Sequence, residues 1–498
     1  MRYPALGLLL VSVSVSPLVA CGNSSSTPDA GDSGVKRNDA STDARTKDGS
    51  ALHDGSARDG EALHDTGTRQ DSARAADAAD EGGARVDAGR DSGLPACTTE
   101  SWSTYGHDGQ RTFASGGCVA PTVAVKWHYT PTAPTGRTFE AVFRALGTSD
   151  GAFLAWMASD APYTGTTAVD RVSTDGARVW TWDSHTDTNF GNWPTLADTY
   201  LAVNDDGLNL LAPDAGTVQH SAGVDWWGQT IADPSRLYVV NQMQADGPGL
   251  FVGAVDTTTH VLWQGQLHQA CGKSWSDVMG GIALDNGVLF YAPQYQFDPD
   301  AGVSLVSGVY AFDATAGTLK WTMPTTPASA ISAGNALIYL VENATQLVAR
   351  KETDGTVAWS VSLTGDSAFL QVGAQAPVLA NGLAIVATST GIAAFNALNG
   401  SLKWTSPVIA PAYLAQSEIT NGCGTLMGNG ARETTLAAAL ASNTLVVTAP
   451  GAIDFLSLSD GHSLGSVQFD AGFSGAHDPV VVGTQLYVVD ATSLVLLE

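Results

Sequence analysis

The chain has 498 residues, enough for several domains or for one large repeat domain behind a tail, and its 23 Lys and Arg face 49 Asp and Glu, a formal net charge of -26. Binding to phosphate backbones depends on Lys and Arg displacing counterions, so this balance argues against a nucleic-acid partner. The first residues, Met1-Arg2-Tyr3-Pro4, give a basic start, and an apolar run follows from Ala5 to Val15. That pattern predicts a secretory signal over residues 1–20, too short to stay as a transmembrane helix.

Leu18-Val19-Ala20-Cys21 closes the signal and resembles the bacterial lipobox. The resemblance implies cleavage before Cys21, lipid attachment to its sulfur and a hold on the bilayer through the acyl chains, each buried methylene contributing about 0.8 kcal/mol. Gly22 rather than Asp follows the Cys, which by the same resemblance favours the outer membrane. Residues 21–95 are Asp, Ala, Gly, Ser and Arg with almost no large apolar side chain. Such a segment cannot bury enough surface to offset its ordering entropy, so it is expected to be a disordered acidic tether that gives the folded part reach.

The folded part is expected over residues 96–498. Its organising unit is Val309-Tyr310-Ala311-Phe312-Asp313-Ala314-Thr315-Ala316-Gly317-Thr318-Leu319-Lys320-Trp321. The alternation predicts a strand, Asp and Gly predict the turn, and the Trp brings a large apolar surface to the returning strand. Copies recur at 172–180, 255–263, 350–359 and 394–404, with a weaker one lacking Trp at 211–219 and a degenerate one at 456–464. Turn-then-strand signals precede most of them, as in Asn286-Gly287-Val288-Leu289 and Asn381-Gly382-Leu383-Ala384. About four strands over roughly 45 residues is the period of a propeller blade. The final strands, 479–482, 485–489 and 493–497, lack a Trp strand, and Val123 to Tyr129 can supply it. The expected fold is therefore an all-β propeller of about eight four-stranded blades, closed by pairing the N- and C-terminal strands in one blade so that no sheet edge is left open.

The Ala-x-Asp-x-x-x-Gly-x-x-x-Trp turns, with the opening Trp102, Gly106 and Asp108, resemble the repeats of the pyrroloquinoline quinone (PQQ)-like propeller superfamily, over residues 102–498. That superfamily includes the quinoprotein alcohol dehydrogenases and the propeller lipoprotein of the outer-membrane barrel-assembly (Bam) machinery. For the dehydrogenases the resemblance implies calcium, a quinone stacked between a Trp and a disulfide of adjacent cysteines, and an Asp base. This sequence has no adjacent Cys pair and no haem-attachment Cys-x-x-Cys-His, and Asp298-Pro299-Asp300 offers only two carboxylates on a loop. No Gly-x-Ser-x-Gly elbow with triad partners, His-Glu-x-x-His or phosphate loop is present, and His107, His185, His268 and His477 are expected as turn or rim residues.

Setting Cys21 aside leaves Cys97, Cys118, Cys271 and Cys423, an even number in an exported protein. Four cysteines permit three pairings; Cys97 with Cys118 and Cys271 with Cys423 is preferred because the first two flank one short segment. The repeat-end Trp180, Trp263, Trp321, Trp359 and Trp404 are expected to pack between blades. Trp193, Trp226, Trp227 and Trp275 fall in the connections between blades, beside Asp225 and Asp277, where aromatic rings can stack on sugars or clasp a peptide. The expected function is that of a membrane-anchored, non-catalytic binding or scaffold propeller of the cell envelope with no cofactor and a protein or glycan ligand. The alternatives are a PQQ- and calcium-dependent dehydrogenase and a Bam-type outer-membrane assembly factor.

Overall fold

The repeat folds as its letters imply. Strand Gly308–Asp313 pairs antiparallel with Leu319–Pro324, and between them the Asp313 carboxylate accepts the N–H groups of Thr315 and Ala316 at 3.0 and 2.8 Å. Gly317 closes the turn at φ 69, a backbone state that costs a glycine little. The third strand of the blade is buried on both faces and the fourth alternates, because only the outer edge of each sheet meets solvent.

The structure is a computed structural model that describes residues 96–498 apart from 162–163, 185–193, 205–206, 223–228, 242–249, 269–280, 293–307, 326–328, 344, 364–374, 389, 408–417, 422–423, 428–434, 450, 470–476 and 491. The chain divides into Met1–Arg85, outside the described residues, and Val86–Glu498. The second unit contains eight four-stranded blades. Numbered along the chain, blades 1 to 7 comprise residues 138–183, 195–222, 230–268, 281–324, 332–362, 378–406 and 435–468. Blade 8 combines 477–497 with Val125–Tyr129, which pairs antiparallel with Ser493–Leu497. The eight-bladed all-β ring closed by both ends of the folded part is thus what forms. A hairpin, Glu418–Asn421 with Gly424–Met427, lies between blades 6 and 7. Among the described residues no helix is long and apolar enough to cross a membrane.

Neighbouring blades are joined by one device. In each blade the outer strand carries a β-bulge, so that Ala311 faces Trp321 while Phe312 faces Leu319 and Lys320 is the extra residue. The bulge turns the Trp toward the following blade. Its indole N–H donates to a carbonyl in that blade's turn, and its ring covers the turn glycine. Trp321, for example, donates to the Glu352 carbonyl at 2.8 Å, and a Cβ on Gly355 would lie 2.8 Å from the ring. The same pair recurs with Trp127 on Gly176, Trp180 on Gly216, Trp263 on Gly317, Trp359 on Gly400 and Trp404 on Gly461. All five repeat-end tryptophans therefore pack between blades, as expected, and Trp127 adds a sixth.

Candidate functional site

Most of the residues singled out in the sequence for binding lie outside the described residues: Trp193, Trp226, Trp227, Trp275, Asp225 and Asp277, together with Cys21, Cys271 and Cys423. The same holds for Asp298 and Asp300. What the structure does place is the axis of the ring, and it is filled by the chain itself.

Residues 102–118 make one circuit of the axis and meet the blades in order. Trp102 exchanges backbone hydrogen bonds with Gly147 of blade 1, and the Ser103 carbonyl accepts from Leu196 of blade 2 at 2.7 Å. The Thr104 hydroxyl donates to the Thr230 carbonyl of blade 3. The carbonyls of Gly109, Gln110, Thr112 and Phe113 then accept from Leu284, Ala333, Leu379 and Ala438 of blades 4 to 7 at 2.7–2.9 Å. Cys118 finishes the circuit by donating to Gly483 of blade 8 at 2.7 Å. Ala114–Ser115 even adds a short parallel strand to Thr435–Ala439.

The contacts in blades 1, 2 and 4 to 7 fall near the ends of the innermost strands, just before the turns that lead into the second strands. The innermost strands otherwise have backbone groups facing the channel with no ladder partner, and the segment satisfies them. Connections between blades enter at the opposite ends of those strands, so the segment and the connections belong to different faces of the ring.

The segment is tightly constrained. His107, Arg111 and Phe113 hold φ values of 80, 57 and 54, a left-handed state that non-glycine residues adopt only when their surroundings enforce it. The Asp108 carboxylate helps by accepting from the backbone N–H and hydroxyl of Thr112 at 3.0 and 2.7 Å. Arg111 is fully buried, and none of its three side-chain nitrogens has a hydrogen-bond partner. Burial lowers its pKa to about 9, opposed by the nearby Tyr105 and Asp108. Its guanidinium lies 5.4 Å from the Tyr105 ring, which Arg144 approaches to 4.3 Å. His107, expected at a turn or rim, is instead 8 % exposed, edge-on to Trp102 and 3.5 Å from the carboxylates of Glu100 and Asp108. Beside the segment lies a small cleft lined by Trp102, Tyr105, Phe113, Arg144, Pro194 and Val480.

A second polar cluster ties this segment to blades 4 and 5. Gln110 donates its side-chain amide to Asp285 at 2.8 Å, and Asn286 donates to Glu352 at 3.0 Å. Burial, with the adjoining Asp285 carboxyl, pushes Glu352 up to about 7. Cys97 and Cys118 are thiols at the two ends of the circuit, with Cys97 exposed.

The opening Trp102, Gly106 and Asp108 were legible as a motif, yet nothing in their spacing showed that they begin an axial filling. The signal available was the crowding of Gly106, Asp108 and small residues after it, which fits a path that must turn inside a channel.

The catalytic expectations carried by the family resemblance meet no matching constellation. Among the described residues no three His, Cys, Asp or Glu side chains converge on a metal position. Cys97 and Cys118 are not adjacent in sequence and so cannot form the adjacent-cysteine disulfide of the dehydrogenases. The described residues therefore do not fit a calcium–quinone site. Two stretches spell Gly-x-Ser-x-Gly, 147–151 and 461–465, and both are hairpin turns rather than strand-to-helix elbows.

Comparison with known proteins agrees with the architecture. The family model described as outer membrane protein assembly factor BamB matches residues 249–493. Quinohemoprotein alcohol dehydrogenase from Comamonas testosteroni is similar in structure with a TM-score of 0.54 at 12% identity, over 81% of each chain. A europium-containing methanol dehydrogenase gives 0.54 at 11% identity, over 78% of this chain and 89% of that one. BamB from Moraxella catarrhalis gives 0.50 at 11% identity, over 76% and 98%. At these identities the likeness is one of fold. A comparison with curated proteins finds no match. The eight-bladed ring and the match of residues 249–493 to that family model together show a fold of the PQQ-like β-propeller kind.

Proposed function

We propose that the chain is a lipid-anchored, non-catalytic propeller scaffold of the cell envelope that binds a protein or glycan through the face bearing the connections between blades. The observation that carries this reading is the match of residues 249–493 to a model named for an assembly factor. The dehydrogenase neighbours, at 11–12% identity, add fold and no chemistry. Two further features support it. The ends of the innermost strands away from the connections are occupied by the chain's own residues 102–118, and four of the tryptophans without a junction role fall in the connections in sequence. The lipobox-like Cys21 and the acidic tether suit a domain held at a distance from a membrane.

The name of the matching model favours a finer second reading, in which the bound partner is an outer-membrane barrel protein during assembly. One experiment separates the readings. The full chain, carrying photocrosslinkers at Trp193, Trp226 or Trp275, is expressed in a diderm bacterium and its adducts are identified. Outer-membrane barrel proteins among the adducts support the assembly reading, and other envelope proteins or polysaccharide support the broader one. Oxidation of alcohols by the purified chain, dependent on added PQQ and calcium, overturns both. Cys21→Ala is expected to release the chain from the membrane fraction.

A further inference from the structure

We propose that Cys97 and Cys118 close the axial segment into a covalent belt, so that the segment's hold on all eight blades depends on the redox state of one cysteine pair. The sequence suggested the pairing; the structure adds what it would enclose. The loop between the two sulfurs is the axial circuit itself, and its ends are brought together by contacts made before any covalent bond forms.

Three observations carry this. First, the two arms run side by side: Thr98 N–H donates to the Gly116 carbonyl at 2.9 Å, and Gly116 N–H donates to the Glu100 carboxylate at 2.5 Å. Second, the crossing is close-packed, since a Cβ at Gly116 would lie 2.3 Å from the Thr98 side chain and one at Gly117 would lie 2.7 Å from Val481. Third, the two cysteines directly flank this crossing, Cys97 one residue before Thr98 and Cys118 one residue after Gly117. Cys118 is also pinned by its N–H to Gly483 of blade 8, whereas Cys97 is exposed. The exposed sulfur is the one an external reagent reaches, and the pinned one is placed to resolve.

The chemistry is thiol–disulfide exchange with a disulfide-bearing oxidant of the envelope. The Cys97 thiolate attacks one sulfur of the oxidant, whose other sulfur leaves as a thiolate. The Cys118 thiolate then attacks the Cys97 sulfur and expels the second thiolate. Two protons leave the cysteines and two electrons pass to the oxidant, which ends as a dithiol. A belt of this length, about 20 residues, shifts the unfolding equilibrium by a factor on the order of 10² in the chain-entropy model.

The test uses the full chain purified from an oxidising compartment. Peptide mapping without reductant is expected to yield a linked pair containing Cys97 and Cys118, and dithiothreitol is expected to speed proteolysis within 98–118 and lower the unfolding midpoint. In Cys97→Ser and Cys118→Ser the proteolysis rate is expected to match that of the reduced wild type, with no further response to reductant within 98–118. That comparison separates this pair from any bond between Cys271 and Cys423. Free alkylation of both thiols in the oxidised protein, a link from either to Cys271 or Cys423, or an unchanged reductant response in the serine variants would each overturn the proposal. Because the readout is a disulfide and local proteolysis, failure here leaves the scaffold reading standing.

Discussion

The junction of blades 4 and 5 and that of blades 2 and 3 share a plan and differ at two residues. At the first, Trp321 lies at the register position after the bulge and covers Gly355 of the next turn. At the second the bulge persists between Val218 and His220, but His220 holds the Trp register and is exposed. The turn it faces along the ring has lost its glycine as well, with Thr259 at φ 69 in its place. Junction 7–8 repeats the lesson in another form. Gly465 occupies the Trp register there, and a Cβ on it would lie 2.8 Å from the Pro121 carbonyl, so the incoming chain fills the space instead. Tryptophan and glycine are therefore one unit spread over two blades. Each is present only where the other is, because a Cβ in the turn would strike the indole ring, and an indole without the glycine would have no flat surface to cover.

The comparison can be broken most strongly at Trp359, which is 9 % exposed, donates to Ala397 and covers Gly400. Trp359→Ala is expected to cost about 3–5 kcal/mol in denaturant unfolding, whereas His220→Ala stays within about 0.5 kcal/mol. Equal losses at the two sites would contradict the assignment. Next in size is Gly400→Ala, which places a Cβ 2.6 Å from the Trp359 ring at φ 70 and is expected to cost about 1–3 kcal/mol. In the Trp359→Ala background the same change should cost clearly less, since the ring it strikes is gone.

The comparison can also be sharpened by building the missing unit. His220→Trp with Thr259→Gly is expected to be more stable than the sum of the single changes, with a coupling of about 0.5–3 kcal/mol in a double-mutant cycle. Simple additivity would show that the pairing is coincidental. The smallest effect concerns pH. Glu352 is raised to about 7 in the folded chain against 4.5 for a free side chain, chiefly by burial. Between those values the folded state binds more protons than the unfolded state, so its contribution falls as pH rises from about 4.5 through 7 and is constant above. Glu352→Gln should flatten that slope in thermal unfolding, while the wild-type slope persists in Asp354→Asn, whose carboxylate lies in an exposed turn.

How much was legible varied with the range of the interaction. Asp313, Gly317 and Trp321 could be read as turn and packing residues because their roles are set within one hairpin and repeat along the chain. Blade closure could be read too, since strands 493–497 lacked a partner and 125–129 lacked a blade. His107 could not, because burial at the axis depends on eight blades converging on a segment with no repeat of its own. The same reason hid Arg111, whose guanidinium is fully buried in the axial filling with no hydrogen-bond partner. The bulge also lay hidden: it moves the weak repeat's Trp position from Gln219 to His220, and only strand register reveals such a shift.

By itself the sequence determined the hairpins, their period and the ring they close, because strand alternation, turn capping and the Trp–Gly spacing act over a dozen residues and recur. The tertiary structure alone decided that residues 102–118 fill the axis, that this circuit is what lies between Cys97 and Cys118, and that Glu352 is buried beside Asp285. Each of these joins groups whose neighbours are fixed by blade packing rather than by proximity along the chain.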